Sequence, residues 1–424
     1  MNEAFFQNVW QYKLFGALDL QTTDGEIVEV INQGQHNKDA GPDFFNAQVK
    51  IGDTLWAGNV EIHTKSAMWY RHGHDKNHSY DNVILHVVGE SDGRPIYNAN
   101  GLIIPEVVLR YPTYLELRYQ EFMNSTSPIR CHNYIERVSE MELNGWIDRL
   151  LVERFEQRNR RVEQLFETFN GDWNQVCFCL LARSLGGSLN GEAMEMLARC
   201  TPVKILFKHN TSLQKEALLY GQSGLLPQSS DDEYVCSLIS EYRFLKNKFS
   251  LNGMDGQMWK FMRLRPSSFP LIRISQLSAV VSLARGNFES VFRSVDINSL
   301  LKLLDVSASE YWDTHYTFGK ESLHTSHKFI GKDTRRLMII NAIVPFVFAY
   351  TSRYGKEQER LNVMRMLSFL PIEKNNIIET WINCGIVPKD EGEAQALLLL
   401  RKEYCDKGNC LSCRLGHIVM TKAK

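Results

Sequence analysis

The sequence predicts an α+β protein: a mixed or antiparallel sheet domain over about residues 1–125, then a mostly α-helical domain over about 130–424. Three observations carry this. From Leu18 to about Arg110, short runs rich in β-branched and aromatic residues alternate with Asp24-Gly25, Gly52-Asp53, Asp92-Gly93 and Asn100-Gly101, which is strand and turn chemistry. After Pro112, apolar residues recur at helical spacing between Gly, Asn, Ser and Pro breakers. Between them Asn124-Ser125-Thr126-Ser127-Pro128 has the composition of a linker, so the boundary is expected between Met123 and Glu140.

At the start, Phe6, Val9, Trp10 and Leu14 share one helical stripe, predicting a short amphipathic helix that ends at Gly16. Strands are predicted at Glu26–Ile31, Phe45–Ile51, Leu55–Thr64 and Asn82–Val88, the middle two closing a hairpin around Gly52-Asp53. Ser66 is positioned to cap a short helix running to about Gly73. Beyond the linker, helices are predicted at Met141–Phe169, Trp173–Leu185, Ala193–Cys200, Leu213–Tyr220, Tyr234–Phe249, Ile274–Ala284 and Thr334–Tyr350, with no strand-length run to outweigh them. No fixed-period repeat is present.

Composition narrows the function classes. A net charge of −1 and a pI near 6.9 supply no global field toward nucleic acid or an anionic membrane, so a nucleic-acid partner needs a local patch. Residues 1–15 carry no basic start, apolar run or cleavage site of a secretory signal, and the apolar run Leu337–Tyr350 falls about five residues short of a bilayer span and contains Pro345. No membrane role is expected. Nine cysteines, an odd and mostly scattered number, point to a reducing cytoplasm.

The chemistry concentrates between Gly41 and Val88. Five of the twelve histidines lie there (His63, His72, His74, His78 and His86), together with Asp43 and Glu61. On a strand Glu61 and His63 share a face, and the preceding hairpin strand begins just after Asp43, which brings that carboxylate to the same end of the sheet. Asp43, Glu61, His63 and His86 are therefore the expected ligands of a divalent metal (Mg²⁺, Mn²⁺ or Zn²⁺), the imidazoles favouring the transition metals. The expected catalytic set is Asp43, Glu61, His63, Lys65, His72 and His74, with His63 or Lys65 orienting water and His72 or His74 serving as acid or ligand. The bland alternative makes Asp43 a turn cap, Glu61 a surface partner of Lys65 and each histidine an ordinary hydrogen-bonded residue.

The chain closes on Cys405-x4-Cys410-x2-Cys413, with Cys384 upstream in a Cys-Gly turn. Thiolates at this spacing hold Zn²⁺ or an iron–sulfur cluster, with Cys384 or His417 as the fourth ligand; the alternative is reduced, unliganded thiols. Arg149, Arg154, Arg158, Arg160 and Arg161 interleave with glutamates and read as a salt-bridged helix face. Arg263, Arg265 and Arg273 flank Pro266 and Pro270, which suits an anion site but more simply a joining loop.

Pro-Asp43, 17 intervening residues and Glu61-x-His63 together resemble the PD-(D/E)xK nucleases, whose pattern is an Asp at a strand start and (Asp/Glu)-x-Lys on the next strand of a hairpin. Here His63 stands in the lysine position and Lys65 lies two residues on. The resemblance implies a metal-dependent phosphodiesterase acting on nucleic acid; the rivals are a non-catalytic binding module and a metal-dependent hydrolase of a small substrate. The cysteine run resembles the cluster loop of endonuclease III-type glycosylases, departing from its Cys-x6-Cys-x2-Cys-x5-Cys spacing. Over nearly the whole chain, the stretches GPDFFNAQV, WAGNVEIH, HGHDKNHSYDNVILHVV, RLRPSSFPLIRISQL and YCDKGNCLSC resemble the bacterial family called domain of unknown function 2851, which implies a bacterial cytoplasmic protein and no particular activity.

Overall fold

The computed structural model describes residues 1–16, 19–293 and 296–422; Leu18, from which the strand-rich region is read, lies outside them. The described chain divides into two compact units. One comprises Met1–Ile147, Asn376–Val387 and Leu398–Lys424; the other comprises Asp148–Asn375 and Pro388–Leu397. The division is discontinuous, unlike the expected cut at 125–130, and places the cysteine-bearing C-terminal segment in the same unit as the histidines.

The first unit is built on a mixed sheet. Helix α1 (Glu3–Gln11), capped by the Asn2 side chain, is followed by β1 (Leu20–Gln21), β2 (Ile27–Asn32), β3 (Gln35–His36), β4 (Phe44–Ile51) and β5 (Thr54–Lys65). Strands β1, β2, β4 and β5 run antiparallel in that order, and the turn between β4 and β5 uses Gly52 at φ 57°, a conformation that favours glycine. After the short helix α2 (Met68–Arg71), β6 (Val83–Glu90) joins β5 in parallel. A small hairpin of β7 (Ile96–Tyr97) and β8 (Ile103–Ile104) leads to β9 (Glu106–Val108), parallel to β6. A bridge between Thr22 and Val107 ties the first edge to the last, so the sheet curls nearly into a barrel.

The parallel register sets up the site. Glu61 pairs with His86, and His86 with Glu106, so three polar residues from three neighbouring strands lie side by side on one face. Alternation puts Val60 and Ile62 on the opposite face. Helix α1 packs on β5, and the Phe6 ring lies so close to Gly89 that a Cβ there would sit 2.5 Å from it. The histidine-bearing connection covers the polar face through its own small core of Trp69, Tyr80, Val83, Ile96 and Ile104.

The second unit is helical around α5, counting α3 (Thr113–Asn124) and α4 (Glu140–Thr168) before it; α5 runs from Trp173 to Cys200, with Gly187 alone in a non-helical conformation. The two helices expected here are present and meet at a kink at Gly187. A short hairpin, His315–Thr317 with Lys320–Glu321, interrupts the helices but is too brief to outweigh them, in keeping with the absence of a strand-length run after Arg110. The apolar stretch expected at Leu337–Tyr350 extends as a 23-residue helical run over Lys332–Tyr354, long and apolar enough to cross a bilayer but two-thirds buried within the protein. Of the basic features, Arg158 bonds Ile340 O, Asn341 and Gln395, and Arg273 bonds Gln276. Both act as internal fasteners.

Candidate metal centre

Strand β5 supplies Glu61 and His63, both almost fully buried at 5% and 1% exposure. Helix α2 delivers His72 at its C-terminal end. Gly73, at φ 74°, then turns the chain so that His74 comes back over the sheet, stacked on Tyr80 at 3.8 Å. His72 is exposed and His74 is buried. A ligand nitrogen from each of His63, His72 and His74 lies within 4.8 Å of the others. His63 Nε2 is 3.1 Å from His72 Nδ1 and 3.6 Å from Glu61 Oε1, and His74 Nε2 is 3.3 Å from the same oxygen. His74 Nε2 is buried and makes no hydrogen bond.

A hydrogen-bonded chain behind His63 fixes its tautomer. Glu106 is acceptor-only as a carboxylate. Burial would raise its pKa, but hydrogen bonds from His86, Ser91 and Ser66 outweigh this and hold it below its ordinary value. It therefore accepts a hydrogen bond from His86 Nδ1–H at 2.9 Å, leaving His86 Nε2 to accept from His63 Nδ1–H at 2.8 Å. The lone pair of His63 Nε2 is then aimed at the cluster. This is the outer arrangement that metal-binding histidines use. It corrects one expectation: with both ring nitrogens engaged, His86 is a positioning residue and not a ligand.

Asp43 has a related supporting role. Its backbone N–H donates to Glu61 Oε2 at 3.0 Å, while its own oxygens accept from Ile62 N–H at 3.0 Å and Gln7 Nε2 at 2.8 Å. The two carboxylates do share one corner of the sheet, as the hairpin predicted. Glu61 Oε1 is the oxygen facing the imidazoles, and Asp43 braces it. Lys65 is elsewhere: it is exposed and pairs with Glu90 at 2.9 Å, so it does not supply the lysine of the nuclease pattern. His78 is exposed and bonds Asp81.

The electrostatics are those of a site short of positive charge. Burial, then the neighbouring Glu61, pushes Asp43 up to about 7; burial, aided by Glu3, pushes Glu61 up to about 8. Burial lowers all three inner imidazoles, His63 to about 2 with help from His86, His74 and His72. The close approaches of His63 and His74 to Glu61 are therefore contacts between neutral groups, not ion pairs. Sequence reasoning missed Glu106, Tyr80 and Glu3. Glu3 Oε1 is buried without a hydrogen bond, and Glu3 and Gln7 are one turn apart on α1, the spacing that would have signalled a shared face.

The model of the family described as protein of unknown function (DUF2851) matches residues 3–376. The chain belongs to this family. The match includes every residue of the histidine cluster and stops before Cys384, Cys405, Cys410 and Cys413. Comparison with curated proteins and with solved structures returns no match. Among those cysteines, Cys410 and Cys413 are buried and Cys384 and Cys405 half-buried, and all are free thiols.

Proposed function

We propose that the protein is a metal-dependent phosphodiesterase acting on nucleic acid. Glu61, His63 and His74 would hold a transition-metal ion such as Zn²⁺ or Mn²⁺ in preference to Mg²⁺. One observation carries this reading: the spacing of the buried ligand atoms around Glu61 Oε1. Ligands at about 2.0–2.1 Å from a tetrahedral ion lie about 3.3–3.4 Å apart. From Glu61 Oε1 the separations here are 3.3 Å to His74 Nε2 and 3.6 Å to His63 Nε2. Imidazole-rich sites suit transition metals, whereas Mg²⁺ prefers oxygen and water.

Glu61, His63 and His74 are buried and His72 is exposed, so an ion held there would be reached from solvent on the His72 side, as a catalytic ion is, whereas a structural one is closed off. A bound ion supplies Lewis acidity toward a phosphoryl oxygen and acidifies water. This chain's residues would do the rest. Glu106 and His86 hold His63 in its ligating tautomer, Asp43 holds Glu61, and His72 passes a proton at the mouth. Support for a phosphodiester comes from the Asp43/Glu61 placement on a hairpin and from Arg71 and Lys76, which flank the histidines in sequence and are exposed.

The reading is tested by assaying the purified protein on single- and double-stranded DNA and RNA with Mn²⁺, Zn²⁺ or Mg²⁺. Cleavage should require Mn²⁺ or Zn²⁺ and vanish in Glu61→Ala. Cleavage that persists in that variant would overturn the assignment. Hydrolysis of small phosphoesters alone, with no polymer cleaved, would move the substrate to the small-molecule class.

A further inference from the structure

The C-terminal cysteines gain a partner that the linear spacing does not reveal. Cys131 stands immediately before the 3-10 helix His132–Arg137, within the first unit. The C-terminal helix Arg414–Thr421 packs against that segment and against α3. Arg118 of α3 donates to the carbonyls of Val419, Met420 and Lys422, and Lys422 Nζ donates to Arg137 O. The Arg130 guanidinium lies over Gly408, between Cys405 and Cys410, at a spot where a Cβ would be 3.1 Å from it. Cys410–Ser412 forms a tight 3-10 turn closed by Cys413 N–H to Cys410 O at 3.3 Å, the conformation in which Cys-x2-Cys turns both sulfurs to one side.

We propose that Cys131, Cys405, Cys410 and Cys413 form a second metal centre, a four-thiolate site for Zn²⁺ or an iron–sulfur cluster, with Cys384 outside it. Cys131, Cys410 and Cys413 are buried at 8%, 8% and 6% exposure, and none is in a disulfide. The segments that carry them pack on one another: the helix Arg414–Thr421 lies against both the His132–Arg137 segment beside Cys131 and the Cys410–Ser412 turn, and that turn lies against Leu400–Cys405. Cys384 is half-buried just past the helix Asn376–Asn383, outside these segments. Cys413 is the N-cap residue of the helix Arg414–Thr421, at the end where the helix dipole favours negative charge, and the Arg130 guanidinium lies over Gly408 between Cys405 and Cys410. A helix N-terminus and a nearby guanidinium stabilise a thiolate, and four thiolates gathered together call for a cation. The site would staple the chain's end to the loop after α3, inside one unit.

The test uses full-length protein purified without oxygen, in a Glu61→Ala/His63→Ala/His74→Ala background, so the histidine site contributes no metal. Zinc, iron and acid-labile sulfide are measured per chain. One centre per chain is expected, lost at least tenfold in Cys131→Ser and kept in Cys384→Ser. Zinc without sulfide identifies a mononuclear site, and iron with sulfide a cluster. A metal-free background protein, or a centre lost in Cys384→Ser and kept in Cys131→Ser, overturns the proposal. Should Cys131→Ser not fold, thiol labelling of the folded background protein decides: the four thiols should react only after a chelator is added, and reaction without chelator overturns the site. Failure of the histidine reading would instead appear as unchanged metal content between wild type and background.

Discussion

Glu61 in the sheet unit and Glu195 in the helical unit are the same residue at the same burial, 5% and 6% exposed, and they carry opposite charge states. Glu195 accepts from Arg161, from Arg183 at 2.9 Å and from Arg199 at 2.8 Å; burial would raise its pKa, but the three guanidiniums hold it below the ordinary value. Glu61 has imidazoles where Glu195 has arginines, and it is driven up to about 8. Its neighbours are themselves driven neutral. A buried carboxylate with its countercharge built into the chain is structural. One whose neighbouring side chains bring no positive charge is set for a cation from outside.

Exchanging each glutamate for glutamine breaks this comparison most directly. Glu61→Gln should lower metal affinity by at least about 100-fold, above the loss typical of an outer partner. It should cost little stability without metal, since the native side chain is already mostly neutral. Glu195→Gln should do the reverse. Breaking a buried pair costs about 3–5 kcal/mol, but these arginines are about 40% exposed, so screening reduces this to about 1–2 kcal/mol. Isothermal titration with Zn²⁺ and Mn²⁺, beside urea melts, reads both. A structural Glu61 would show the Glu195 behaviour.

Next in size is the outer chain. His86→Phe keeps the ring volume but removes the acceptor for His63 Nδ1–H, freeing the tautomer of His63. Metal affinity should fall by about 10–100-fold. The His72→Gln variant should keep its metal and lose turnover, because His72 is the exposed member of the cluster and would pass the proton. If His72→Gln loses metal as completely as Glu61→Gln, all four positions are ligands and the ion is structural.

A smaller effect sits in the pH dependence. The Asp43 and Glu61 carboxyls, ordinarily near 3.8 and 4.5, titrate in the fold at about 7 and 8. Between those limits the folded chain keeps protons that the unfolded chain has released, so stability falls as pH rises. His63 has the opposite sign: moved from 6.5 to about 2, it favours the fold above 6.5 and costs stability as pH falls below that. Above 6.5 only the carboxylates still act. Metal-free protein should therefore melt lower at about pH 8 than at about pH 6.5, and the rise in melting temperature on adding Zn²⁺ should grow across the same interval as metal displaces protons. Thermal melts with chelator and with metal measure both.

Local chemistry made part of this visible in the sequence. The β4–β5 hairpin announces itself through Gly52-Asp53, and strand alternation is enough to put Glu61 beside His63. Glu106 stayed hidden because its link to His63 runs through two parallel pairings, β5 with β6 and β6 with β9, whose register depends on packing far from the pairing residues. The nuclease pattern assigned ligands by position, so it weighted Asp43 and Lys65 over His74. The Ile62 N–H and the Gln7 side chain claim the first of these and Glu90 the second. Cys131 escaped notice because it carries no spacing relation to Cys405, and only the return of the C-terminal helix to α3 brings them together.

The smallest expected effect is the sharpest check on that last distinction. Lys65 lies on the same face of β5 as Glu61 and His63, so a nuclease-type lysine would have to be this one. It is instead exposed on the outer end of the strand and paired with Glu90. Exposed pairs of this kind contribute about 0–1 kcal/mol, and less in salt. Lys65→Ala should therefore shift stability by under about 1 kcal/mol and leave metal affinity and turnover within about twofold of wild type. A loss of turnover with metal affinity intact would mean that the lysine swings inward on the substrate, and His63 would then be a ligand placed beside a working lysine, not its replacement.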